Sequence, residues 1–504
     1  MSALVAALAT VTATLQGPGL TADSLSYFSS GLNWADGLGL QTFSGMKLTM
    51  FPPLLSVMIG IGHQVGLSPE LSMRAINCVA AAGIVLVGSS LTRRYVSSQT
   101  ILGLTSIVLA VNVALLDLSK MALSECLFVL ISLVFLASAE TLVIRPSYYL
   151  AGCLVLSSWM GFGLRYAGVV LLPVGAWTIL MAFRHRGWRF AITAGVSFGG
   201  VAAVGPLLVM VRNHGVDGTL MGPRTPSTDG VLGTVARFVA ITGKWVLPDP
   251  IPTAAQALSG LVLFVVLGGL VVRLVRRSDD HRSQLLGLLT APTVVFTLTY
   301  SAYIIIAQTM VAFDKLNSRL MSPIIVPAIV LAAGVIERTI ATLPAVQRLN
   351  ARRAAASALS VLLLIQLTLF GLDVFRSGRD GVDYGSREWQ SSDTLRAAKD
   401  LPKSATIYSN TPAGTWAVVR RQPILISPLK EGRRTGEPVP MSEEFLTDVR
   451  CKDVYLVWMN SSTSNYLLTP EELTQYVDVE RTAVAGDGAI YRLSPIEADA
   501  PTGC

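Results

Sequence analysis

Five clusters of ionisable and hydroxyl-bearing residues carry most of the chemistry open to this 504-residue chain. They are Asp23 with Tyr27 in TADSLSYFSSG, Lys47 before Pro52-Pro53, Arg165-Tyr166 in WMGFGLRYAG, Arg212-Asn213 with Arg224 in VRNHGVDGTLMGPRTPS, and Asp314 to Arg319 in FDKLNSR. Guanidinium and ammonium groups hold phosphate oxygens through charge-assisted hydrogen bonds. A carboxylate within reach of a hydroxyl nucleophile can take its proton. One acid with several bases on a shared face therefore suits a substrate carrying a lipid phosphate. Asp23 is the candidate base. Asp36, in the glycine-rich WADGLGL, reads as a turn residue, and Asp314, beside Lys315 and near Arg319, as one that orders its loop. Each residue also has a plainer reading. An Asp in a polar loop is solvated, an Arg at the end of a span anchors the interface, and Pro-Pro starts a helix.

Other chemistry is thinly supported. The four histidines, at 63, 185, 214 and 281, have no metal-ligand spacing among them. No phosphate-binding GxxxxGK[ST] loop and no GxSxG elbow is present. Cys78, Cys126 and Cys153 fall in apolar segments and read as packing residues. Cys451 and Cys504 both lie in the tail, where pairing between them is open. Asn460-Ser-Ser is a glycosylation sequon that would mean little in a bacterium.

The elements that must position these residues belong to a membrane protein. Hydrophobic residues make up 52% of the chain and charged residues 14%, against about 25% charged in a soluble domain, and the mean hydropathy is +0.56. Five cysteines are too few for a disulfide scaffold. Residues 1–374 hold 24 of the 39 Lys+Arg and 14 of the 32 Asp+Glu, so the net charge of +7 comes from this part. Residues 375–504 have the composition of a soluble domain. A basic balance of this kind points to topology and anionic lipid substrates before nucleic acid.

Apolar spans are expected near 3–16, 72–92, 100–116, 123–143, 147–163, 166–183, 190–210, 256–274, 284–309, 320–337 and 354–374, about eleven in all. A polar segment, 17–50, follows the first. The run FPPLLSVMIGIGHQVG, 51–66, is short for a span and suits a helix lying in the interface. With the N-terminus in the cytoplasm, 14 arginines gather in the short loops of the cytoplasmic side: Arg93, Arg94, Arg145, Arg184, Arg186, Arg189, Arg273, Arg276, Arg277, Arg282, Arg338, Arg348, Arg352 and Arg353. Positive residues mark the inside, and an odd number of spans then places the tail outside. All five clusters fall on that outer side. In the tail, 388–400 and 470–476 read as helices, the second capped by Thr469. ATIYSN, PILISP, DVYLVWM and AIYRLS read as strands of a small α/β domain.

The order of these motifs resembles a known family. A first span leads to an Asp at the start of a long outer loop with a Tyr four residues on. Then come xPPLL, SPELSMRAIN leading into a span, LSE opening another, LRYAG, VRN…G…GPR, and SRLMSPIIVP. The sequence resembles bacterial polyprenyl-phosphate-dependent glycosyltransferases of the superfamily of protein O-mannosyltransferases and lipid A aminoarabinose transferases, which have the glycosyltransferase C fold. The resemblance covers about 20–375. It implies an α-helical polytopic membrane domain, 1–374, with 17–66 as the first outer loop and its juxtamembrane helix, and an extracytoplasmic α/β domain at 375–504. It also implies transfer of a sugar from a polyprenyl-phosphate donor to a glycan, lipid or protein acceptor, at the outer face of a bacterial cytoplasmic membrane. In the family the first outer loop carries an acidic pair whose leading Asp is the catalytic base. Here the pair reads Asp23-Ser24, so the base is kept, the second acid is missing, and a divalent metal is left open. The leaving lipid phosphate would be clamped by Lys47, Arg165, Arg212, Arg224 and Arg319, so that no cofactor is required. Tyr166 stands beside that clamp, and Tyr27, Asn213 and Asp314 would support the site. Arg165, Arg212 and Arg319 are expected to converge.

Two rival readings differ in testable ways. A transporter or flippase would place ionisable residues near mid-membrane and repeat one half in the other. Glu125 and Glu140, the mid-chain acids, instead sit near span ends, and no repeat is visible. A scaffold whose outer domain binds a partner would leave Asp23 replaceable.

Overall fold

The computed structural model describes residues 1–276, 290–312, 314–432, 436–461 and 465–496. His281, Arg277, Arg282 and Cys504, together with part of the span expected at 284–309, lie outside them. The chain divides into two compact units. The membrane unit comprises 1–15, 49–55 and 70–379. The second unit comprises 16–48, 56–69 and 380–504.

Among the described residues, nine helices are long and apolar enough to cross a membrane. Two further apolar helices, Ser2–Ala13 and Tyr148–Leu164, fall where spans are expected and are shorter. Leu54–Gln64 is a third short one, at the place of the expected interfacial helix. The span expected at 100–116 is broken. Gln99–Ala110 ends, Asn112 caps a new start by accepting from the Leu115 N–H (3.2 Å), and Val113–Lys120 follows. Backbone freed in a membrane domain must find protein partners. Gln366, 1% exposed in the helix Ala345–Asp380, supplies them. Its Oε1 accepts from the Val113 N–H (3.1 Å), and its Nε2 donates to the Trp245 carbonyl (2.9 Å). Lys120, at the end of the broken span, donates to both oxygens of Asp373 on the same long helix (2.8 and 2.7 Å) and pairs with Asp117. One amphipathic helix, Val231–Lys244, was not expected from the sequence. It packs against Thr253–Arg276, where Gly243 and Gly260 let the two backbones approach.

The second unit is built on a five-stranded sheet: β1 (Thr406–Ser409), β2 (Ile424–Ile426), β3 (Val454–Met459), β4 (Asp478–Ala485) and β5 (Gly488–Ser494). The order is β2-β1-β3-β5-β4, parallel across the first three strands and antiparallel across the last. Tyr408, Phe445, Leu456, Leu473 and Tyr491 form much of its core. The expected helices are found as Arg387–Gln390, Asp393–Lys399 and Pro470–Leu473, the last with a Thr469–Glu472 capping box. Cys451 is disulfide-bonded; its candidate partner, Cys504, lies outside the described residues.

The same unit includes most of the loop that follows the first helix. Thr21 caps the helix Ala22–Ala35 in a capping box with Ser24. Leu20 forms a parallel bridge with Asp383, and the Tyr384 N–H donates to the Leu20 carbonyl (3.1 Å). Gly31 and Gly60 face each other so closely that a Cβ on Gly31 would stand 2.6 Å from the Ser56 carbonyl oxygen.

Candidate active site

The membrane unit brings two of its arginines to one buried carboxylate. The helix Tyr148–Leu164 stops at Arg165, whose backbone is extended (φ −149°, ψ 137°), and a short 3-10 turn, Tyr166–Val170, leads into the next helix. Gly168 makes this reversal tight. A Cβ there would lie 2.3 Å from the carbonyl carbon of Gly161, so no larger residue fits. Arg165 Nη1 then reaches Glu125 Oε1 at 2.6 Å. Arg319, which precedes the 3-10 turn Ser322–Ile324 and its helix, places Nε 3.0 Å from the same oxygen. Glu125 opens the helix Glu125–Ile144 and is 1% exposed. Its other oxygen, Oε2, is buried with no hydrogen-bond partner among the described residues. Two guanidinium groups thus share one carboxylate oxygen.

A second set adjoins it through tyrosines. Tyr166 Oη donates to the Thr49 carbonyl (2.5 Å) and accepts from Asn213 Nδ2 (2.8 Å). Asn213 is fully buried. Its Nδ2 also donates to the Leu220 carbonyl (3.0 Å), and its Oδ1 accepts from Arg212 Nη1 (2.9 Å). Asp217 takes hydrogen bonds from the Thr49 hydroxyl and from the Thr219 N–H and hydroxyl, which fixes the turn after this helix. Gly222, at φ +77°, lets the turn lie on Met50, whose Cα would be 2.7 Å from a Cβ there. Arg224 follows, exposed, its guanidinium held by the carbonyls of Met221 (3.2 Å) and Met50 (2.9 Å). No carboxylate pairs with it among the described residues. Tyr303 stands near both Arg165 and Arg224, and Tyr300, fully buried beside it, is near Arg165.

The structure thus brings Arg165 and Arg319 onto one atom and sets Tyr166, Arg212, Asn213 and Arg224 beside one another. It does not pair Asp314 with Arg319. Asp314 is exposed and has no ion-pair partner among the described residues. Asp23, Tyr27 and Lys47 belong to the second unit. Asp23 lies half-buried in the first turn of its helix, with Tyr27 one turn on and buried. Lys47 is exposed in a turn bridged to Gln41. Asp36 ends the same helix and is exposed ahead of Gly37 at φ +80°, as its glycine-rich context suggests. No group of three or more His, Cys, Asp or Glu side chains gathers among the described residues. Glu125 is the site residue that sequence reasoning missed. A carboxylate inside an apolar run, at the start of a span, was the available signal.

Sequence comparison finds no match to a protein-family model or to a curated protein. Solved structures do match. The fold is that of a polytopic, glycosyltransferase C type membrane protein with a small C-terminal α/β domain. The chain is similar to ArnT from Cupriavidus metallidurans in the apo state, at 14% identity and a TM-score of 0.60, over 99% of this chain and 98% of that one. The same ArnT bound to undecaprenyl phosphate gives 13% identity and a TM-score of 0.62 over the same shares. The arabinofuranosyltransferase AftD from Mycobacteria matches at 14% identity and a TM-score of 0.52, over 99% of this chain and 42% of that one.

Proposed function

We propose that the protein is a membrane glycosyltransferase that moves a sugar from a polyprenyl-phosphate donor to an acceptor hydroxyl at the outer face of the cytoplasmic membrane. The observation that carries this reading is the meeting of Arg165 and Arg319, far apart in sequence, on the single buried carboxylate of Glu125. The likeness to ArnT, which binds undecaprenyl phosphate, supports a lipid phosphate as the anion for that cationic group. Arg165 and Arg319 would hold phosphate oxygens, with Arg224 and Arg212 completing the charge and Lys47 contributing from the first loop. Asp23 would accept the proton of the acceptor hydroxyl. The hydroxyl oxygen would bond to the anomeric carbon as the bond from that carbon to the phosphate oxygen breaks. The leaving phosphate monoester would keep the electron pair, stabilised by the arginines.

The test uses the full chain in lipid nanodiscs with a panel of undecaprenyl-phosphate-linked pentoses and hexoses. The expected result is transfer or release of one of these sugars. Asp23→Asn should lose several orders of magnitude in turnover while undecaprenyl phosphate still binds. Asp36→Asn and Asp314→Asn should stay near the unaltered rate. Full activity in all three variants would remove the catalytic base and favour a scaffold.

A further inference from the structure

The helix that carries Asp23 is built into the C-terminal domain. It packs against the helix Pro412–Val419 of that domain. Two anchors flank Asp23 in sequence. On one side, Leu20 is bridged to Asp383 and Tyr384. On the other, Asn33 and Gln422 exchange two amide hydrogen bonds, each 3.1 Å. Asn33 is 6% exposed, and its Nδ2 also ties down the Gln41 carbonyl (2.8 Å). Beyond the helix, the ring of Phe43 lies 6.2 Å from that of Trp416, and the Phe43 carbonyl accepts from the Ile424 N–H at the free edge of β2 (3.1 Å). An edge strand that would otherwise expose its backbone is thus closed by the first loop.

We infer that the C-terminal domain is the positioning element for the catalytic base, and that Asn33 and Gln422 are its positioning residues. This rests on Asp23 being the base. A 14-residue helix is stiff over its length of about 20 Å, so fixing Leu20 at one end and Asn33 near the other sets where the Asp23 carboxylate points. General-base catalysis needs that carboxylate within hydrogen-bond distance of the acceptor hydroxyl. An error of about 1 Å can cost about a hundredfold in rate. The arginines that would hold the donor belong to the other unit, and only Lys47 of the donor cations lies in this loop, bridged to Gln41, so loosening these anchors should change the chemical step far more than donor capture.

The test compares the full chain with Gln422→Ala, Asn33→Ala, the double variant and Gln422→Glu, in nanodiscs with the same donor panel. Gln422 is exposed, so its truncation leaves the domain core intact. Expected are a fall in kcat of about tenfold or more in each single variant, a donor KM that changes much less than kcat, and a double variant no worse than the singles. Hydrogen exchange should quicken in 20–35. Gln422→Glu keeps the oxygen that Asn33 Nδ2 donates to, and should recover part of the loss. Unchanged kcat in the alanine variants, or no recovery in Gln422→Glu, would overturn the positioning role while leaving Asp23 in place. Normal turnover in Asp23→Asn, or no turnover of any donor by the unaltered chain, would remove the reading on which it rests.

Discussion

Replacing Gly168 with alanine tests whether the arginine cluster depends on the reversal after the helix Tyr148–Leu164. The new methyl carbon would stand 2.3 Å from the carbonyl carbon of Gly161, 2.4 Å from the Phe162 nitrogen and 2.5 Å from the Gly161 oxygen. All three are backbone atoms and cannot rotate away. An ordinary contact needs about 3.4 Å, so the helix and the 3-10 turn on either side of this reversal must part by about 1 Å. Forcing an extra methyl into such a site costs about 1–3 kcal/mol. The same shift acts on Arg165, three residues earlier, whose bond to Glu125 is 2.6 Å long. A displacement of that size lowers the rate by about a hundredfold when it falls on a group holding the reacting atoms. The assays are thermal melting, binding of undecaprenyl phosphate and sugar transfer. The control is Gly152→Ala in the same helix, where an added Cβ meets nothing within 4 Å and gains about 0.5–1 kcal/mol of helix propensity. If Gly168→Ala melts, binds and turns over like Gly152→Ala, the close approach does not position Arg165 and the reasoning fails.

Glu125→Ala should lower stability by about 1–3 kcal/mol, because it removes the buried carboxylate that two partly buried guanidinium groups share; a melt unchanged from the unaltered chain would contradict this. Arg224→Gln should melt normally, since among the described residues its side chain hydrogen-bonds to carbonyls alone, yet bind undecaprenyl phosphate more weakly, with a shallower salt dependence of binding. Gln366→Leu should cost about 1–3 kcal/mol by stranding the Val113 N–H, with no change in donor KM. The Glu472 carboxyl lies below its usual range because the Thr469 N–H bonds to it, with Lys430 adding to the effect. Its contribution is therefore present above the ordinary glutamate pKa and lost as pH falls through the lowered one. Glu472→Gln should flatten the acid limb of the stability profile, and an unchanged limb would refute this.

The spans were legible because long apolar runs have few alternatives, and Arg165 because it follows one directly in LRYAG. The break at 111–112 was not legible, since Asn112 alone does not interrupt the run. Its partner Gln366 is hundreds of residues away, although a glutamine inside a span is itself a signal. The helix Val231–Lys244 hid in a sequence whose glycines and threonines read as loop. Strand β4 hid behind the charges of DVERTAVA, which suit an exposed edge strand. In the site, the arginines could be named one by one. Their meeting at Glu125 could not, because it depends on folding that joins residues 125, 165 and 319. Assigning Asp23 and Lys47 to the same compact unit as the tail depends on contacts such as Asn33 with Gln422, for which no pattern in either segment prepares the reader.

The reliance of the break at 111–112 on Gln366 has a consequence for biogenesis. The ribosome delivers the broken span early and the helix Ala345–Asp380 last of the membrane unit. Until that last helix enters the bilayer, the Val113 N–H lacks its acceptor and the Lys120 ammonium lacks Asp373. A nascent chain therefore carries an unfinished polar seam through most of its synthesis, and only the arrival of the final helix closes it. Chains truncated before residue 366 keep that seam open, with the Val113 N–H and the Lys120 ammonium both short of the partners that the final helix brings.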